Sequence, residues 1–138
     1  MTVSLEDARR IIAAGERYAI HLGQPVNLAV VDHAGILVAH VRMDNARLST
    51  ADISVDRACA ARASALPARL VNHTGGEPGG EPGGVEEGIE QWSPRPAGSG
   101  LTGAVPLWRG GMIVGAVGVS GGPTPHDEAI ARAAAAAY

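Results

Sequence analysis

The residues able to move protons, hold a metal or grip a charge cluster between positions 32 and 59. Asp32 and His33 stand side by side ahead of Ala34-Gly35. A turn imidazole beside a carboxylate suits proton transfer near neutral pH or metal binding; the plainer reading is an exposed turn histidine. His40 follows on a face with Ile36 and Val38, so it is either a buried, hydrogen-bonded histidine or a pocket residue. Arg42, Met43, Asp44, Asp52, Asp56 and Arg57 then form the densest charged group outside the loops. An arginine fork grips a carboxylate or phosphate at two points. The plain alternative is a set of surface or intersubunit ion pairs, each worth little.

Cys59 is expected in mid-helix, where an inert small hydrophobe is the default. A reactive thiol needs a basic neighbour, and Arg57 and Arg62 are close in sequence. His21 suits the negative end of the first helix dipole. His126, in the first turn of the last helix, is expected to be exposed. His73 opens a long loop, and Glu87 and Glu90 are spaced to share a hard cation or, more simply, to form a solvated face. No His or Cys pair has zinc spacing, so no metal site is expected. Gly118, Gly121 and Gly122 precede a helix start, where an anion or a ligand carboxylate is physically sensible. Their spacing is not that of a dinucleotide loop, and no acidic residue falls about 20 positions on.

The 138 residues carry a net charge of −3, and all 11 basic residues are arginine. Without lysine there is no Schiff-base chemistry and no P-loop that uses its own lysine. The charge and the scarcity of aromatics, with no Phe and only two Trp and two Tyr, argue against nucleic-acid binding. A single cysteine makes no internal disulfide. No signal-peptide pattern opens the chain, and no apolar run reaches the roughly 18 residues of a membrane span. A cytoplasmic protein without membrane association is the expectation.

These groups must be positioned by an alternation of helices and hairpins. Leu5, Ala8, Ile12, Gly15, Ala19 and Leu22 recur at spacings of three and four, which predicts a helix over 4–22. Ser4 and Asp7 form its start and Gly23 its stop. Apolar runs at 26–31 and 36–41 flank Asp32-His33-Ala34-Gly35, a hairpin with Gly35 at positive φ. A second, alanine-rich helix is predicted over 51–66, capped by Ser49. Two GGEP tetrapeptides lie within a Gly/Pro-rich insertion at about 73–100, which supports no long helix or central strand. A second hairpin spans 101–119 around Arg109-Gly110-Gly111. Thr124 is the expected N-cap of a last helix running to Tyr138, with Pro125 its first residue. Two hairpins with covering helices predict an α+β domain spanning 1–138.

Five ordered segments carry a family resemblance. Val30-Val31-Asp32-x-x-Gly35, Arg42-Met43-Asp44-x-Ala46, Asp52-Ile53-Ser54, Gly103-Ala104-Val105-Pro106-Leu107 and Gly115-Ala116-Val117-Gly118-Val119-Ser120-Gly121-Gly122 resemble the GlcG/HbpS-like family. That family includes the C-terminal domain of PduO-type proteins. The resemblance, joined by Asp127, covers the chain outside roughly 72–98. It implies a profilin-like or PAS-like domain, an antiparallel sheet of four to five strands flanked by helices, assembled as a homo-oligomer. Some members bind haem, some sense redox state or bind iron, and members often accompany catabolic or biosynthetic enzymes. Arg57 stands where relatives have a lysine, and Cys59 where they often have an aromatic residue. An arginine keeps the charge but stays protonated, so it does not serve as a base.

Three functions are therefore expected to compete, the plainest being a structural partner with no ligand of its own, whose small-residue helices 51–66 and 125–137 pack across subunits. The second is an oligomeric small-molecule-binding protein for haem or another planar apolar ligand, with His33, His40, Arg42, Arg57 and Cys59 as ligand-binding candidates. The third is a cofactor-independent isomerase, cyclase or lyase acting on a specialised metabolite. Asp32, His33, Asp44 and Asp56 would be its acid–base groups, and Arg42 or Arg57 would hold an oxyanion.

Overall fold

The computed structural model describes residues 1–64 and 103–138. The expectations placed on 65–102, including the GGEP segment, His73, Glu87 and Glu90, lie outside the described residues. The described elements are α1 (Leu5–Leu22), β1 (Asn27–Asp32), β2 (Leu37–Arg42), a 3-10 turn (Leu48–Thr50), α2 (Ala51–Ser64), β3 (Ala104–Arg109), β4 (Met112–Ser120) and α3 (Thr124–Ala135). None of these helices is long and apolar enough to cross a membrane.

The start of α1 follows from local chemistry. The Ser4 hydroxyl accepts the Asp7 N–H at 3.0 Å, and the Asp7 carboxylate accepts the Ser4 N–H at 3.2 Å. This reciprocal cap satisfies two donors that the helix leaves orphaned. Gly23 closes the helix at φ 70°, its N–H returning to Ala19 and Ile20. The buried stripe is Ala8, Ile11, Ile12, Gly15 and Ala19. Leu5, expected on that stripe, is exposed, and Val3, just ahead of the helix, is buried in the core at this end.

The four strands form one antiparallel sheet in the order β2-β1-β4-β3. Two layers cover it. Leu28, Val30, Val117 and Val119 of the central strands meet Ile11, Ile12, Ile130, Ala131 and Ala134 of α1 and α3. Each fully buried Leu, Val or Ile contributes about 1.5–3 kcal/mol. On the other face Val31, Ala104 and Ala116 meet Ala58 and Ala61 of α2. Small residues allow that approach: a Cβ on Gly118 would overlap the Ser54 carbonyl and lie 2.6 Å from the Ala58 nitrogen. Helix α2 therefore lies over β4, β1 and β3 and scarcely reaches the edge strand β2.

Several sequence expectations need correction. Pro123, not Thr124, occupies the N-cap of α3, with no side-chain cap; its carbonyl accepts the N–H groups of both His126 and Asp127. Asp127 supplies the polar closure instead, accepting the Gly122 N–H at 3.0 Å. The helix ends at Ala135, three residues early. Ser49 falls inside the 3-10 turn rather than at a helix start. His126, expected to be exposed, is half-buried, with Nδ1 enclosed and without a partner among the described residues.

Candidate functional site

The β1–β2 pairing contains a one-residue irregularity. Asn27 faces Arg42, Ala29 faces His40 and Val30 faces Ala39, but Val31 faces Leu37. Val38 is the extra residue. It joins Ala39 and Val41 against the α1/α3 core, as a bulge allows. Directly paired residues share a sheet face, so Leu37, His40 and Arg42 lie on the face that α2 covers elsewhere. Simple alternation instead grouped His40 with Ile36 and Val38. His40 is exposed, so the buried-histidine alternative does not hold.

The result is an open strip along β2. Leu37 is 47% exposed and Ile36, at the turn, 64%; His40 and Arg42 are also exposed. One side of α2 leans toward the turn end of this strip. The Cys59 thiol lies 3.4 Å from the Gly35 carbonyl, and Arg62 Nε donates to the His33 carbonyl. Burial and the Asp56 charge push the Cys59 thiol up, against the opposing pull of Arg62. Cys59 is therefore a protonated thiol engaged with the hairpin, and little of it is available as a thiolate.

The acid–base candidates are spread out. One oxygen of Asp32 accepts the N–H groups of Ala34 and Ile36, both at 2.9 Å, and so builds the turn that Gly35 completes at φ 85°. His33 is exposed at the same turn. Asp44 lies beyond the far end of β2, about 20 Å away at roughly 3.3 Å per strand residue. Asp56, on α2, has its carboxyl raised by burial and by the charge of Asp52. Asp32 and Asp44 thus stand at opposite ends of β2 and do not converge. No cluster of three or more metal-ligating side chains occurs among the described residues.

Arg57 points away from the open strip, toward α3. Its Nη1 donates to the Val119 carbonyl at 2.6 Å and to Asp127 at 2.9 Å. Asp127 is 1% exposed. Burial raises its carboxyl, while Arg57, the Gly122 N–H and His126 pull the other way. The sequence joins Asp127 to the family motifs but holds no trace of this partnership, which spans 70 positions.

A single antiparallel sheet between one helix and two is an α+β architecture. The family model for haem degrading protein HbpS-like matches residues 3–136, and the chain belongs to that family. A Citrobacter freundii relative, an uncharacterised 15.0 kDa protein of the dhaT-dhaS intergenic region, is 32% identical over 133 residues, covering 96% of this chain and 89% of the relative. The solved PduOC:haem complex aligns with TM-score 0.74 and 27% identity over 100% of this chain and 96% of its own. Klebsiella pneumoniae ORFY aligns at 0.76 and 28%, covering 99% of this chain and 90% of its own. A double mutant of Streptomyces reticuli HbpS aligns at 0.71 and 27%, covering 99% and 86%.

Proposed function

We propose that this chain is a binding module that seats haem, or another planar apolar ligand, on the open face of β2. The observation that carries the reading is the strip itself, where an exposed leucine and an exposed imidazole share a part of that sheet face that α2 leaves bare. The solved haem complex of a relative at 27% identity supports it. The residues present fit the group. Leu37 offers apolar surface to a flat ring, and His40 offers a ring nitrogen of the kind that binds haem iron. Bound haem would supply a redox-active iron whose potential its axial ligand tunes. Cys59 is a poor thiolate ligand because it is protonated and turned to Gly35. Arg57 acts at a distance, by holding α2 against β4 and α3.

A ring lying on an open strip keeps one side toward solvent. A homo-oligomer, which the family resemblance implies, would cover that side and exclude water. Haemin titrated into the protein tests the seat: a Soret shift is expected, lost in His40→Ala and retained in His33→Ala and Cys59→Ser. No shift in the wild type, or a shift that His40→Ala leaves untouched, sinks the reading. Native mass spectrometry of the same samples reads subunit number and bound mass together.

A further inference from the structure

We infer that the open face of β2 selects ligands bearing a carboxylate, and that Arg42 is the residue that reads it. The inference rests on the seat proposed above and goes beyond it by naming a ligand class and a specificity residue.

Most of the described arginines are engaged elsewhere or lie away from the strip. Arg10 pairs with Asp7 and Arg132 with Glu128, each one turn away on its own helix. Arg57 is held by Asp127 and the Val119 carbonyl. Arg62 spends Nε on the His33 carbonyl. Arg109 lies over the Tyr138 ring at 4.9 Å. Arg9 and Arg17 stand on α1, across the sheet. Arg47 lines a separate depression with Gln24, Asn45 and Gly121 to Pro123. That leaves Arg42. It is exposed and faces Asn27 across the pairing, on the same side as Leu37 and His40.

Arg42 makes no ion pair among the described residues, and Asp44, two positions on, does not reach it. A free guanidinium two residues beyond an exposed imidazole offers a two-pronged grip on a carboxylate at the rim of an apolar ring. It is a fixed charge, so the preference holds whatever the state of His40. Leu37 at one end and Arg42 at the other give the strip an apolar-to-cationic polarity that matches a flat ligand with its acids along one edge.

Zinc protoporphyrin IX and its dimethyl ester test this by fluorescence titration. The wild type is expected to bind the free acid roughly tenfold more tightly than the ester, the scale of one charge-assisted contact. Arg42→Gln should weaken the free acid to the level of the ester and leave ester binding unchanged. Arg42→Lys should recover part of the difference. Equal affinity for acid and ester in the wild type, or equal losses for both in Arg42→Gln, overturns the assignment. If His40→Ala still weakens both ligands in that event, the seat stands and only the carboxylate selection falls. If the wild type binds neither porphyrin, both fall.

Discussion

Arg57 and Asp127 lie 70 positions apart in sequence and 2.9 Å apart in the fold. The pair joins α2 on one side of the sheet to α3 on the other, past the end of β4. Arg57 Nη1 also holds the Val119 carbonyl, so one side chain anchors three elements. Asp127 is 1% exposed and the Arg57 side chain 30%. The carboxylate therefore depends on its partner far more than the guanidinium does.

Arg57→Ala should cost about 3 kcal/mol, because it strands a buried carboxylate without its cation. Arg57→Lys should recover part of the loss, since it restores the charge but not the planar fork. In a double-mutant cycle, Arg57→Ala with Asp127→Ala should be less damaging than the two losses added. Urea titrations of the four proteins measure this. A fully additive cycle would show that the contact contributes nothing of its own.

Asp127 also predicts a pH dependence. Burial raises its carboxyl above the ordinary 3.8, so the folded chain keeps a proton that the unfolded chain has already released. The stabilisation from this group is complete below pH 3.8 and is lost as pH rises through the raised value. Wild type minus Asp127→Asn stability should therefore fall with rising pH in that window and flatten above it. Asp56, raised in the same direction, remains in both proteins and cancels. Thermal melts at closely spaced pH values give the difference, and a difference that rises with pH contradicts the assignment.

Gly118→Ala should destabilise the chain by about 3 kcal/mol. Its new methyl would overlap the Ser54 carbonyl and crowd the Ala58 backbone, which is overpacking against a helix that cannot move without losing its other contacts. Gly110→Ala is the comparison, since nothing lies within 4 Å of a Cβ there. Its cost is confined to the positive φ of 57°. Equal losses in the two variants would show that α2 tolerates displacement.

Cys59 should react slowly with iodoacetamide at pH 7. Burial and Asp56 hold its thiol above the ordinary 9.0, and the thiolate is the nucleophile. Mass spectrometry of the alkylated protein should show the rate still climbing with pH beyond 9.0, where an ordinary thiol starts to level off. Asp56→Asn should quicken the reaction by removing the nearby negative charge. Rapid labelling at neutral pH would mean that the thiol is more open than its contact with Gly35 allows.

Local residue patterns are enough to define the kinds of elements and most of their ends. Helix and strand periods are local, so α1, both hairpins and the Ser4–Asp7 cap were readable from residues a few positions apart. The missing lysines excluded covalent-amine chemistry without any structure. The ordered motifs from Val30 to Gly122 carried the family, which the match over 3–136 bears out. Which side chains meet depends on how those elements pack. A one-residue shift between Val30 and Val31 turns Leu37 onto the face of His40 and takes Val38 off it, because a two-residue period reverses at every added residue. The same folding took Arg57, read from sequence as a ligand-binding candidate, and set it against Asp127. Pairing across 70 positions depends on how α2 and α3 pack around β4, and no local spacing records that.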